Sequence, residues 1–316
     1  MVERPRVLIV GGAGYLGARL AQELSATMHV VVTYRSESPA RRAWLDRHAP
    51  KITGIAFDSA KQDSIPCGGV FSAVINLALP GAEESARDPE GTMRSALATT
   101  NACLNLLNEK RAGRLIQFST FHVYGPPVRE VYDENTEAHP QHPYGKNHLA
   151  CERLIQSSSC ADDSFIVRPT NGVAAPAHGD LGPQAKLLFL DLCRQAAQEN
   201  RITLDNDGLS YRAFVPFDDV LNAMHLLLKT DRPEHGARPM NLSAGSAYRL
   251  DEVAGQIRDA ALSLFGRKPE LNFGTGTDAF RNPFTVSNAA LCRLGWKPQA
   301  NLKKEIIGAL RFFAPE

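Results

Sequence analysis

The residues Val7-Leu8-Ile9-Val10-Gly11-Gly12-Ala13-Gly14-Tyr15-Leu16-Gly17 form an apolar run that enters a turn whose glycines Gly11, Gly14 and Gly17 are spaced by three. Such a turn can cradle a phosphate. Glycine lets the backbone approach a pyrophosphate without an intervening Cβ, and it reaches dihedrals that other residues adopt only with strain. A helix opening at Tyr15 and running to about Ser25 would aim its first amides at the same anion. Gly11, Gly14, Tyr15, Leu16 and Gly17 are therefore candidate contacts of a dinucleotide cofactor. About 20 residues beyond the turn, NAD-specific sites carry an acid that grips the ribose 2′-hydroxyl. This chain reads Thr33-Tyr34-Arg35-Ser36 there, with Arg41 and Arg42 close behind. A guanidinium pairs a 2′-phosphate through two charge-assisted bonds, so Arg35 and Ser36 favour NADP(H) over NAD(H). Arg41 and Arg42 read equally as a solvated basic loop. Asp58 either accepts from an adenine amine or caps the turn that follows it.

These residues need a scaffold, and the hydrophobic pattern supplies one. Strand-like runs at Val7–Val10, Val30–Thr33, Ile52–Phe57, Val74–Leu77, Leu115–Phe118 and Ser164–Val167 alternate with helical stretches at Ala18–Ala26, Thr92–Glu109 and Asn147–Gln156. That alternation predicts an α/β fold with a doubly wound parallel sheet, ligands lying at the carboxyl ends of its strands. From Asn171 to Pro183 the chain is rich in Gly, Ala and Pro and reads as a long loop, followed by a helix near Lys186–Asn200 and a polar turn at Asp205–Gly208. The expected organisation is a dinucleotide-binding domain over residues 1–170, to which 212–245 return, and a smaller C-terminal substrate-binding cap built from 171–211 and 246–316.

Composition narrows the function class. Against 35 basic residues stand 34 acidic ones, a formal charge of +1, so no field favours nucleic acid. No apolar run approaches the ~18 residues of a membrane span, and the first is short and broken by glycine, which predicts a cytoplasmic protein without membrane contact. Cys67, Cys103, Cys151, Cys160, Cys193 and Cys292 lack metal-ligand or disulfide spacing and read as free thiols, so no metal is expected.

Seven motifs in order resemble the extended short-chain dehydrogenase/reductase family, the group of nucleotide-sugar epimerases, dehydratases and ketoreductases. They are the glycine turn; Val74-Ile75-Asn76-Leu77-Ala78 with Asp88-Pro89; Ser119-Thr120-Phe121-His122-Val123-Tyr124-Gly125; Pro143-Tyr144-Gly145; Arg168-Pro169-Thr170-Asn171; Arg212-Ala213-Phe214-Val215 leading to Asp218-Asp219; and Leu294-Gly295-Trp296-Lys297-Pro298. The resemblance covers nearly the whole chain and implies a Rossmann sheet, hydride transfer between a nicotinamide and a carbinol or ketone, and a homodimer packed through the helices Thr92–Glu109 and Asn147–Gln156.

By that resemblance Tyr144 is the proton donor or acceptor and Thr120 hydrogen-bonds the reacting oxygen. Leu77, Ala78, Thr99 and Thr170 fall on cofactor positions, Thr99 replacing an asparagine common in the family. The family lowers its tyrosine's pKa with a lysine four residues on, one helical turn away. Here that position holds His148. Lys146 is no substitute, because two residues along a helix is about 200° around it. Two readings follow. Either His148 keeps the hydrogen bonds to the nicotinamide ribose and supplies charge only when protonated, making activity pH-sensitive, or Tyr144 is poorly poised and the protein is a slow enzyme or a binder. Family dehydratases carry an Asp–Glu pair where this chain has Phe121 and His122, so loss of water by that route is not expected. His122 reads either as an additional acid or base near the substrate or as a packing or ribose-contacting residue. Phe121, His122, Asn171, Arg212 and Arg281, the last within Phe280-Arg281-Asn282-Pro283, match substrate positions, the two arginines suiting a pyrophosphate. The reading is ketone reduction or epimerisation on a nucleoside-diphosphate sugar or another modified sugar. The alternatives are a ketoreductase for a non-nucleotide small molecule and a catalytically weak dinucleotide-binding regulator.

Overall fold

A computed structural model describes residues 4–231, 236–277 and 281–315. Its centre is a seven-stranded parallel sheet in the order β12-β7-β5-β4-β1-β2-β3: β1 Arg6–Val10, β2 His29–Tyr34, β3 Ile52–Ala56, β4 Ala73–Asn76, β5 Leu115–Phe118, β7 Ser164–Pro169 and β12 Pro239–Leu242. The chain winds one way through β2 and β3 and the other way through β4, β5 and β7. The sheet therefore reverses beside β1, and the glycine turn leaves β1 at that switch point, where open α/β sheets bind ligands.

The apolar runs sort by alternation. Val7, Ile9, Val30, Val32 and Ile75 face a layer containing α1 (Tyr15–Leu24), α2 (Pro39–His48), α6 (Leu188–Gln198), α7 (Phe217–Lys229), α8 (Leu250–Phe265) and α10 (Leu302–Phe313). Leu8, Val10, Val31, Val74 and Leu115 face α4 (Pro89–Asn108) and α5 (Pro143–Gln156). Burial on both faces explains why these strands read as unbroken hydrophobic runs.

Helix starts fall earlier than the apolar pattern indicates. Asp88 caps α4 by accepting from the Gly91 amide at 2.9 Å, with Pro89 in the first turn, and Pro143 likewise opens α5, where the N-cap His142 makes no side-chain cap. These first turns are polar and carry no apolar periodicity. A short helix, α3 (Ala82–Arg87), precedes α4.

The segment read as loop from Asn171 is strand at its start. β8 (Asn171–Val173) pairs with β11 (Phe214–Pro216), a partner about 40 residues distant that no local pattern reveals. Other two-stranded pairs are β6 (Val131–Tyr132) with β15 (Thr285–Val286), β9 (Arg201–Asn206) with β14 (Glu270–Gly276), and β10 (Tyr211–Arg212) with β13 (Tyr248–Arg249). The short helix α9 (Ala289–Arg293) lies near the C-terminus. All six cysteines are free thiols, and Cys292 is the exposed one. No helix among the described residues is long and apolar enough to cross a membrane.

Candidate active site

Gly11 sits at φ 76°, and a Cβ there would lie 2.9 Å from the Ala78 Cβ, so the turn and the β4 loop meet only because the residue is glycine. At Gly17 a Cβ would come within 2.6 Å of the Gly11 carbonyl. α1 begins at Tyr15 behind Gly14, with no side-chain cap and no acid in its first turn. Its free amides and unopposed dipole suit an anion. The Tyr15 and Leu16 side chains pack inward. The Tyr15 hydroxyl donates to the Ala174 carbonyl at 2.6 Å and accepts from the Ala174 amide at 2.7 Å, and burial pushes its phenol far above the ordinary range.

At the other end of the turn, Arg35 and Ser36 are exposed just past β2. Arg35 pairs with Glu84 at 2.9 Å. Asp58 accepts from the Ala60 amide at 3.1 Å and pairs with Lys61 at 3.3 Å, so it caps its turn as one of the two sequence readings held. Leu77 and Ala78 continue from β4, the Ala78 amide donating to Asn76 Oδ1 at 3.1 Å. Thr99 donates to the Ser59 hydroxyl at 2.8 Å. Sequence reasoning missed the segment after β8. There His178 hydrogen-bonds the Ala13 carbonyl of the glycine turn at 3.0 Å, and Asp180 takes the Ser38 hydroxyl at 2.6 Å and Arg41 at 2.5 Å. No spacing rule links these residues to a turn some 165 positions earlier.

The reacting groups come together at the end of β5. Thr120 caps the 3-10 turn Phe121–Tyr124, and α5 packs on that turn through Gly145, where a Cβ would sit 2.7 Å from the His122 carbonyl. This close approach brings the Thr120 hydroxyl within reach of the Tyr144 phenol. Burial raises the Tyr144 pKa, and the Thr120 contact offsets part of the rise. The His148 ring lies against that of Tyr144, centroids 4.6 Å apart, and the His122 ring 5.8 Å away. Lys146 is exposed on the far side of α5.

His148 is buried, and both ring nitrogens lack a partner of good hydrogen-bond geometry. Burial pulls its pKa from 6.5 to about 3, His122 adds to the fall and the Phe118 backbone opposes it. Burial thus works against the charged imidazole on which the first reading of His148 depends. Two orphaned ring nitrogens, together with the buried and unpartnered Thr170 hydroxyl, fit a dinucleotide that brings its own hydroxyls and amide.

His122 is exposed to solvent. Its imidazole is lowered by the surrounding protein mass, then by Arg212 and His142. Arg212 therefore lies on the same side of the site. Asn171 is exposed and donates to the Ala213 carbonyl at 2.8 Å. Phe121 turns away from the cleft into an aromatic cluster, stacked on Phe284 at 5.7 Å, which corrects its placement among substrate contacts. Arg281 is held by Asp207, and its neighbour Phe280 lies outside the described residues. Beneath the site Glu152, one turn beyond His148, accepts from Ser119 at 2.5 Å and from Arg168 at 2.8 and 2.5 Å. This buried triad was also missed, although i, i+4 spacing from His148 placed Glu152 on the same helix face.

Residues 7–243 match the family described as NAD dependent epimerase/dehydratase. The chain belongs to that family. It is 24% identical to UDP-glucose 4-epimerase of Dictyostelium discoideum, over 94% of this chain and 92% of that one. It is 28% identical to UDP-glucose 4-epimerase of Streptomyces lividans, over 80% of each. Among solved structures, a UDP-glucose 4-epimerase superposes with TM-score 0.82 at 21% identity over 97% of both chains. RMD from Pseudomonas aeruginosa, complexed with NADPH, gives 0.73 at 21% over 98% of both. The superpositions carry the fold. Membership of the epimerase/dehydratase family makes this chain an enzyme of the NAD(P)-dependent type.

Proposed function

We propose that this family member is an NADP(H)-preferring oxidoreductase that reduces a ketone, or epimerises a carbinol carbon, in a nucleoside-diphosphate sugar or related modified sugar. The observation that carries the reading is the Thr120 hydroxyl set against the Tyr144 phenol, with the unpartnered His148 and Thr170 beside a glycine cradle. The cradle and the α1 amides hold the pyrophosphate, Arg35 and Ser36 the 2′-phosphate, and Leu77, Ala78, Thr99 and Thr170 line the cofactor's path. When bound, the nicotinamide supplies or accepts a hydride at the reacting carbon. Tyr144 gives a proton to the substrate oxygen in reduction and takes it in oxidation, while Thr120 steadies the oxyanion. Neutral His148 hydrogen-bonds the nicotinamide ribose. His122 stands over the substrate as a further acid or base, and Asn171, Arg212 and Arg281 hold the diphosphate. Epimerase relatives favour return of the hydride to the other face, and Arg35 favours net reduction with NADPH.

NADPH consumption against nucleotide 4-keto sugars separates the two reactions, because an epimerase shows no net oxidation. Tyr144→Phe should lower turnover about 10²- to 10⁴-fold; survival within a few fold would remove Tyr144 from the chemistry. The raised Tyr144 phenol beside a neutral His148 also favours a second reading, a dinucleotide binder with weak catalysis. That reading requires cofactor binding without turnover on any such sugar. A homodimer through α4 and α5 follows from family resemblance, and light scattering at twice the 34.5 kDa chain mass tests it.

A further inference from the structure

Three arginines follow the end of β2: Arg41 is committed to a covered carboxylate, while Arg35 and Arg42 sit in exposed ion pairs, Arg42 with Glu37 at 2.6 Å. Arg41 is mostly covered, at 13% side-chain exposure, and bound to Asp180 at 2.5 Å, while Asp180 also takes the Ser38 hydroxyl at 2.6 Å. Arg35 is 64% exposed and forked onto Glu84, Nη1 to Oε1 at 2.9 Å and Nη2 to Oε2 at 3.4 Å. Glu84 stands in α3, just past the β4 loop that touches Gly11. In the sheet β2 and β4 flank β1, so this ion pair links the segments that follow the two strands on either side of the glycine-turn strand. Asp58 adds negative charge near the same guanidinium.

An exposed ion pair of this kind is weak, whereas a phosphate monoester brings nearly two charges and three acceptor oxygens to a planar fork. Resting on the dinucleotide reading above, we propose that Glu84 is a specificity-determining residue: its carboxylate occupies the Arg35 fork that a ribose 2′-phosphate would take, and so sets the discrimination between NADP(H) and NAD(H). A cofactor bearing a 2′-hydroxyl leaves the Arg35–Glu84 pair closed across the turn. One bearing a 2′-phosphate draws Arg35 from Glu84 and leaves the carboxylate beside an added anion, an unfavourable contact that limits the preference.

Calorimetric titration of the whole chain with adenosine 2′,5′-bisphosphate and with 5′-AMP tests this without turnover. Glu84→Gln should tighten the bisphosphate about fivefold and leave 5′-AMP within twofold, and Arg35→Gln should weaken the bisphosphate about tenfold or more. If Glu84→Gln shifts both nucleotides equally, or neither, while the wild type still binds 5′-AMP, the role of Glu84 is overturned and the dinucleotide reading stands. If the wild type binds neither nucleotide, both fall together.

Discussion

At Tyr144 burial favours the neutral phenol, and the Thr120 hydroxyl opposes it only in part. A lysine at about 5 Å, with an effective dielectric of ~20, would favour the phenolate by roughly 3 kcal/mol, or two pKa units. Neutral His148 contributes nothing of this kind. The same burial links His148 to stability. Its folded pKa of about 3 lies below the unfolded value near 6.5, so its contribution is whole above pH 6.5 and is lost as pH falls toward 3. Over that interval unfolding takes up one extra proton, a slope of about 1.4 kcal/mol per pH unit. Denaturant unfolding at pH 7.5, 6 and 5 should show His148→Leu losing stability with acid less steeply than the wild type by that amount. Equal slopes would mean that His148 is solvated or charged in the folded protein. The sequence displayed Tyr144, Thr120 and the missing lysine, because those depend on residue identity and spacing. It did not display the neutrality of His148, which depends on what surrounds the ring.

Helix α5 carries Tyr144, Gly145, His148 and Glu152 on or near one face, and Glu152 anchors it. The Glu152 carboxylate takes the Ser119 hydroxyl and both prongs of Arg168, whose pKa burial lowers but whose bonds to Glu152 carry it above the ordinary value. Removing one partner of a buried pair leaves an uncompensated charge. Glu152→Ala should cost about 3–5 kcal/mol of unfolding free energy by denaturant titration; a loss below ~1 kcal/mol would show that Arg168 finds solvent or another acceptor. The existence of α4 and α5 was legible from their apolar faces, and their starts were misplaced by three or four residues because Asp88 acts through capping and Pro89 and Pro143 through proline's fixed φ, not through hydrophobicity. Phe121 was misread for a similar reason: its place in the motif is visible, and the ring it stacks on, Phe284, is far away in sequence.

For the molecule as a whole, the parallel sheet and its switch point were readable from the alternation of strands and helices, and β12 joins its edge beside β7. Contacts formed by segments remote in sequence were not readable. The stretch after β8 ties Tyr15, Ala13, Ser38 and Arg41 to the far half of the chain, and Glu305 of α10 holds that stretch through the Ala175 amide at 2.6 Å. These ties hold the glycine cradle to the segment after β8, and the proposed site sets Tyr144 beside the dinucleotide with a neutral His148 at the position of the family lysine. The most direct test is the phenolate absorbance of Tyr144, taken as the difference between wild type and Tyr144→Phe in rapid pH jumps, with and without His148→Lys. Tyr144 in the wild type should titrate above pH 10, and His148→Lys should bring it down by about two units. A wild-type Tyr144 that already titrates near neutral pH, or one that His148→Lys leaves unmoved, would contradict the account.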